Sequence, residues 1–272
     1  MNKVAVIGMV GNSAFLSVEK FHQAGETVAA RSIHFEPGGK GFNQAVAAAR
    51  FGASVSFLGA VGTEGYAQIN DFLVADGITP VLSQKNEPTA YAAILTDAKG
   101  SNQVTVYQGA RLTEADVDSY EPFIADADVL LLNNEVSEAV NLRAVELAKK
   151  HGTFAILNPA PAVPLCRQLV ETIDLFTPNE HEQAGLEERT NVVVTLGEKG
   201  CLIKKTGEQI PAVKQENVVD TTGAGDTFNG VLAAKLSAGL SLAAAIPVAM
   251  AAAGLSVTRP YAATAIPYEN EL

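Results

Sequence analysis

The chain has 272 residues, of which 47% are hydrophobic and 18% charged, and it carries a net charge of −11. That composition supports a sizeable core and excludes a disordered chain, while the acidic balance excludes a nucleic-acid surface, which needs clustered Lys and Arg. One large domain over residues 1–272 is expected, and phosphorylated ligands stay open to it, because backbone N–H groups and Mg2+ hold phosphate without net positive charge.

In chain order, Val4-Ala5-Val6-Ile7-Gly8 is a continuous apolar run ending in glycine, the pattern of a buried parallel strand. It starts too close to Met1 and is broken too soon for a signal peptide. Gly8 and Gly11 give half of a dinucleotide fingerprint; the third glycine and the following helix are missing. Phe15–Val18 and Thr27–Phe35 instead read as an antiparallel flap. Glu36-Pro37-Gly38-Gly39-Lys40-Gly41-Phe42-Asn43-Gln44-Ala45 then leads into an alanine helix over Val46–Phe51. It is not a Walker A loop, since no Ser or Thr follows the lysine. Further strands are expected at Val55–Gly62, Ala90–Thr96, Gln103–Tyr107, Val129–Leu132, Thr153–Leu157, Leu175–Thr177 and Asn191–Leu196. Asp97-Ala98-Lys99-Gly100 turns the chain between the second and third of these, making a hairpin. Cys201–Lys205 and Glu208–Pro211 form another. Helices are expected at Tyr66–Ala75, Thr113–Ala125 and Ser137–His151. The run Ala243–Val257 contains Pro247 and Gly254 and reads as core helix, not a membrane span. Cys166 and Cys201 have no partner motif, so they read as inert thiols in a reducing, cytoplasmic setting. Alternating strands and helices imply a parallel sheet covered on both faces.

The most informative stretch is Asp220-Thr221-Thr222-Gly223-Ala224-Gly225-Asp226-Thr227-Phe228. Val218 and Val219 before it read as the end of a buried strand, and an apolar helix follows from Phe228. Two glycines at a helix N-terminus converge backbone N–H groups, and the helix dipole favours an anion there. Asp226 stands at that anion site, either as a simple N-cap or as a general base beside a bound phosphate. Ligands of such sheets collect at the carboxyl ends of the strands, where Glu135, Asn158, Asn179, Gly197 and the glycine turn all fall. Phosphoryl transfer needs an anion cradle, a divalent metal and a base near the acceptor hydroxyl. Asn179 and Glu182, three apart, could anchor Mg2+ directly or through water. Gly38, Gly39, Lys40 and Asn43 offer donors to a polyhydroxyl acceptor. The turn from Thr195 through Gly197 to Gly200 can pass beneath a nucleotide. His22, His34, His151 and His181 are scattered, so no histidine metal site is expected.

The segments Gly38–Ala45 and Asp220–Phe228 resemble the two signatures of the ribokinase-like (PfkB) sugar kinases. The likeness continues in Gly25-Glu26-Thr27, Thr177–Glu182, Thr195–Gly200 and Val257-Thr258-Arg259, in the same order over nearly the whole chain. It implies a three-layer α/β/α fold with a mostly parallel central sheet. A small β lid would come from about 12–37 and 88–109, and a homodimer would form through that lid. The family transfers phosphate from ATP to a sugar hydroxyl. By that resemblance Asp226 deprotonates the hydroxyl, and the N–H groups of Gly223, Ala224 and Gly225 stabilise the moving phosphoryl group. Ser13, Gly39, Lys40, Asn43 and Glu135 match sugar-side positions. Asn179, Thr195, Gly197, Gly200, Gly223 and Gly225 match ATP-side positions, with Asn179 and Glu182 positioning Mg2+. Asp220 and Thr222 match ligands of an activating monovalent cation, K+, its loop completed by backbone near Ser256, Arg259 and Tyr261.

The chain departs from the family at the acceptor end. Ser13 replaces a carboxylate that accepts two sugar hydroxyls, Phe42 replaces a small residue and is expected to narrow the pocket, and Arg111 replaces an amide. The 183–191 crossover is short, with room for only one or two helical turns. Three functions therefore remain: a pentose kinase; a kinase of the same fold for a nucleoside, fructose, a keto-deoxy acid or a sugar phosphate; and a catalytically silent sugar-binding protein.

Overall fold

The computed structural model describes residues 2–99 and 101–272. Gly100, the last residue of the expected hairpin turn, lies outside the described residues, as does Met1. The chain order is β1 (Lys3–Ile7), β2 (Gly11–Val18), β3 (Ala30–Gly38), α1 (Lys40–Arg50), β4 (Ser54–Gly62), α2 (Tyr66–Ala75), β5 (Thr79–Lys85), β6 (Ala90–Thr96), β7 (Asn102–Tyr107), α3 (Glu114–Asp126) and β8 (Val129–Asn133). It continues with α4 (Glu138–His151), β9 (Phe154–Asn158), α5 (Arg167–Thr172), β10 (Leu175–Phe176), β11 (Val193–Thr195), β12 (Cys201–Ile203), β13 (Glu208–Ile210), α6 (Ala224–Ser237) and α7 (Leu242–Ser256).

Six parallel strands in the order β10-β9-β8-β1-β4-β5 form the central sheet. Its inner strands are mostly apolar because both faces are covered. The two-residue period of β1 separates those faces. Val4 and Val6 pack into one cluster with Phe42 of α1, Val231 of α6 and Ile246 of α7. Ala5 and Ile7 pack into another with Tyr120 of α3 and Val145 of α4. The layers are therefore helix, sheet and helix. Beyond β10 the edge continues through parallel bridges, Phe176 to Val192 and Asn179 to Thr195, into the antiparallel strands β11-β12-β13. A separate four-stranded sheet, β3-β2-β6-β7, pairs β2 with β6 in parallel and the outer pairs antiparallel.

Several expectations change. Val218 and Val219 form no strand and are each 59% exposed. The chain there is held by the carbonyl of Val257, which accepts from the N–H groups of Val219 and Asp220 at 2.8 and 3.2 Å. β5 and α5 were not expected; β5 carries Pro80 and polar residues because it is the sheet's edge. The second flap strand begins at Ala30, not Thr27, and runs on through Glu36 to Gly38. The first helix begins at Lys40, six residues before Val46, and the sixth at Ala224 rather than Phe228. Both glycine stretches thus feed directly into helices, which puts Lys40, Asn43 and Asp226 in first turns. Segment 183–191 is built from turns with no helix, pinned by the buried Leu186. No helix among the described residues is long and apolar enough to cross a membrane.

Candidate active site

β1 ends at Ile7, and Gly8 brings the chain against the start of α1. A Cβ on Gly8 would lie 2.6 Å from the Cα of Gly41, so only paired glycines allow this approach. The result places α1's first turn directly over the carboxyl ends of β1 and β8. The N–H of Lys40 donates to Glu135 Oε2 at 2.7 Å, just beyond β8, and the N–H of Glu135 donates to Asn133 Oδ1 at 3.0 Å. From the end of the same helical turn, Asn43 Nδ2 donates to Asp226 Oδ2 at 3.0 Å. Gln44 Nε2 is shared between Asp226 Oδ1 at 3.3 Å and Asn158 Oδ1 at 3.2 Å. Asn158 Nδ2 in turn donates to the carbonyl of Thr177 at 2.9 Å. One hydrogen-bonded chain thus ties the ends of β9 and β10 to the first turns of α1 and α6.

Asp226 sits in that first turn of α6, 6% exposed. The helix N-cap, Gly223, has φ +77°, a left-handed conformation that glycine adopts without strain. The N–H groups of Gly223 and Gly225 find no protein acceptor among the described residues, while that of Ala224 donates to Thr221 O at 3.3 Å. Space above Gly225 is open, with nothing within 4 Å of where a Cβ would stand. The turn is therefore an exposed donor cradle beside a buried carboxylate. Burial pushes the Asp226 carboxyl up, and the Lys40 ammonium and the two amide donors oppose that shift. The charge of Asp226 raises Lys40. Burial and then Asp226 push Glu135 up to about 7. Asn43 Oδ1 and Gln44 Oε1 are buried with no hydrogen-bond partner in the protein.

Along the rim, Asn179 N–H and Nδ2 donate to the two oxygens of Glu182 at 2.9 and 2.8 Å. The N–H of Thr195 donates to Pro178 O at 2.9 Å, which sets Thr195 beside Asn179. Gly197 is exposed with free space around it, whereas Gly200 is pressed against β13, where a Cβ would lie 1.9 Å from the carbonyl of Ile210. Among the described residues no three His, Cys, Asp or Glu side chains converge to hold a metal. That donor set does not cage a metal but suits Mg2+, which takes one or two carboxylates plus substrate phosphates.

Asp220 Oδ1 accepts from the N–H and hydroxyl of Thr222 at 2.9 and 2.7 Å, and Oδ2 from Tyr261 N–H at 3.2 Å. Asp220, Thr222 and Tyr261 are thus brought together. The Ser256 hydroxyl donates to Ala253 O, its carbonyl accepts from the N–H of Arg259 at 3.1 Å, and the Arg259 guanidinium donates to Glu271. Ser13 lies on β2 at 9% exposure, opposite Glu36 of β3.

A model of the pfkB family carbohydrate kinases matches residues 1–269. The chain belongs to that family. Ribokinase of Staphylococcus aureus (strain COL) is 35% identical, with 100% of this chain and 98% of that protein covered. Ribokinase of Bacillus subtilis (strain 168) is 34% identical, covering 100% and 98%. Among solved structures, Thermotoga maritima ribokinase matches with a TM-score of 0.87 at 32% identity, covering 99% of this chain and 97% of that one. Arabidopsis thaliana ribokinase complexed with ribose and ATP matches at 0.86 and 27%, covering 98% and 96%. The fold is accordingly ribokinase-like. This PfkB protein is a carbohydrate kinase of the ribokinase type, a phosphotransferase acting on an alcohol group.

Two departures look different on this PfkB fold. Phe42 does not narrow the pocket: it is fully buried on the helix face turned to the core, against Phe57 and Phe72. Arg111 does line a cavity, with Gly8, Met9, Asn134 and Glu135, and its guanidinium donates to Gln108 Oε1. Sequence reasoning assigned no role to Gln44, which the first signature contains, or to Glu36, whose partners lie 226 to 228 residues away.

Proposed function

We propose that this kinase transfers the γ-phosphoryl group of ATP to a hydroxyl of a small sugar seated between Glu135, Lys40, Asn43 and Asp226. The supporting observation is a single one: a buried carboxylate in the first turn of α6, held by two amides, beside an open N–H cradle. Asp226 takes the proton of the acceptor hydroxyl as that oxygen attacks phosphorus. Its raised affinity for protons suits the role, because burial destabilises the ionised carboxylate and so makes it a stronger base than a solvated one. Lys40 keeps it ionised beforehand. The N–H groups of Gly223 and Gly225, with Ala224 turned partly inward, receive the negative charge that develops on the transferring group. Thr195 and Gly197 flank the nucleotide, and Gly200 serves chiefly to let the hairpin close. Asn179 and Glu182 would hold Mg2+, directly or through water, and the ion would neutralise charge on the phosphates.

Ribose is the first acceptor to test, since the relatives at 33 to 35% identity are ribokinases. A second reading, a sugar acid or sugar phosphate, is favoured by one observation. Arg111 contributes a guanidinium to the same cavity as Glu135, and that group pairs with carboxylate or phosphate. K+ would sit at Asp220 and Thr222. The four-stranded sheet would act as a lid over the acceptor. Its exposed Ile33, Phe35, Tyr91 and Tyr107 would bury against a second copy, giving a homodimer. The two free thiols suit the cytoplasm. The test is a panel of ribose, other sugars, nucleosides and anionic sugars with ATP and Mg2+, run on the wild type and on Asp226→Asn. A drop of at least ~10²-fold in kcat is expected; unchanged turnover would remove Asp226 as the base.

A further inference from the structure

Glu36 is a carboxylate outside the proposed binding and transfer groups, and both of its oxygens are hydrogen-bonded. It lies near the end of β3, three residues before Gly39, and is 3% exposed. Oε1 accepts from the N–H groups of Ala262 and Ala263 at 2.9 and 3.1 Å. Oε2 accepts from the N–H and hydroxyl of Thr264 at 3.1 and 2.8 Å. Three consecutive backbone donors and a hydroxyl therefore converge on one buried carboxylate. Such charge-assisted bonds are about twice as strong as neutral ones, and burial strengthens them further.

The loop so gripped is the one behind the catalytic turn. A Cβ on Gly223 would stand 3.3 Å from the Cβ of Ala262, so the loop backs the N-cap of α6 directly. One residue earlier, Tyr261 donates its N–H to Asp220, the first residue of the same turn. Tyr261 has φ +75°, the one non-glycine residue with positive φ among the described residues. A large aromatic residue holds that conformation only where its surroundings impose it. Here the four-stranded sheet imposes it. His34 of β3 stacks on the Tyr261 ring with centroids 3.8 Å apart and planes at 11°, and Phe15 of β2 meets it edge-on at 5.2 Å.

We propose that Glu36 is a positioning residue: it fixes loop 261–264 beneath Gly223, so the sheet over the acceptor sets the position of the N–H cradle. The proposal rests on the reading of the Gly223–Asp226 turn as the phosphoryl-transfer centre. It makes the sheet more than a cover, because a shift of β3 would be carried through Glu36 and the His34–Tyr261 stack to the cradle on the far side of the acceptor.

The test uses Glu36→Gln in the full chain, which keeps the shape and turns one accepting oxygen into a donor facing N–H groups. Two measurements are made. The first is backbone hydrogen exchange, which needs no activity: exchange should quicken at least ~10-fold both in 261–264 and in 221–227, with helices α3 and α4 unchanged. Faster exchange confined to 261–264 would overturn the coupling. The second is steady-state kinetics: kcat should fall about 10-fold while KM for the acceptor moves less than about 3-fold. A raised acceptor KM at unchanged kcat would mean that Glu36 serves only the acceptor pocket, and that too would overturn the proposal. Should the glutamine variant fail to fold, His34→Ala, which leaves the carboxylate in place, should give the same paired exchange response in weaker form. Its absence there would count against the proposal. Loss of turnover in Asp226→Asn is independent of both results, so the base assignment and the coupling fail separately.

Discussion

On the side of the site proposed for the acceptor, side chains are held by residues far away in the chain: Asn43 and Gln44 reach Asp226 across 183 and 182 residues, and Gln44 reaches Asn158 across 114. On the side proposed for the nucleotide, Glu182 is held by Asn179 three residues away, and Gly197 stands in open space. The first arrangement exists only when the whole three-layer core has formed. The second exists wherever its short loop is intact. A base must be fixed before the substrate arrives, which favours long-range buried bonds. A nucleotide bearing its own phosphates and metal can help to organise its loop as it binds. The two sides should therefore answer mutation differently, in kcat and stability on one and in KM on the other.

The sharpest break is Asp226→Asn. Beyond the loss in kcat of ~10² or more, its melting temperature should stay close to that of the wild type. The unpartnered carbonyls of Asn43 and Gln44 can turn to accept from the new amide, and a buried charge is removed. A large fall in both quantities would show that the carboxylate is structural. Gln44→Ala comes next. It strips donors from Asp226 and Asn158 inside a fully buried site, and leaving those acceptors unpaired costs about 1–3 kcal/mol. Urea unfolding should register that loss together with a roughly 10-fold fall in kcat, within the contribution of a well-placed base. Stability lost at constant kcat would reduce Gln44 to packing.

The nucleotide side should reverse the pattern. Glu182→Gln leaves the core untouched and alters a half-exposed pair, so the unfolding midpoint should hardly move. The Mg2+ concentration for half-maximal rate should rise about 10-fold, the lower end of the usual cost of disturbing groups around a metal. A fall in kcat with unchanged Mg2+ dependence would place Glu182 with the acceptor machinery and break the contrast.

How much of this the sequence disclosed follows the same division. The pairing of Asn179 with Glu182 could be read from spacing, because the two are three apart and bind each other. The glycine turn was legible for the same reason, though its helix begins four residues before Phe228. β1, β8 and β9 were legible as apolar runs, while the edge strand β5 was hidden by Pro80 and its polar residues. Val218 and Val219 misled because their apolar side chains stay 59% exposed. Glu36 was illegible: a glutamate before Pro-Gly-Gly looks like a loop charge until the fold brings residues 262–264 to it. Phe42 was expected to wall the pocket because it replaces a small residue of the family; inside α1 its position points to the core.

The smallest effect tests the electrostatics of the acceptor side. Glu135 is pushed up to about 7 from an ordinary 4.5, by burial and then by Asp226. Between those values the folded protein holds a proton that the unfolded chain has released, so stability falls as pH rises across that window. The contribution is fully present below about 4.5 and is lost through 7. Glu135→Gln removes the titrating group while keeping an oxygen for the Lys40 N–H. Its melting temperature should match the wild type near pH 4.5 and exceed it increasingly up to pH 7.5. Asp226, also raised by burial, titrates in both proteins, so the difference reports Glu135 together with its coupling to Asp226. Equal slopes in the two proteins would mean that Glu135 is ionised throughout, with the ammonium of Lys40 outweighing burial and Asp226 together. The acceptor side would then be held by an ion pair, and the contrast with the nucleotide side would rest on its long-range amide bonds alone.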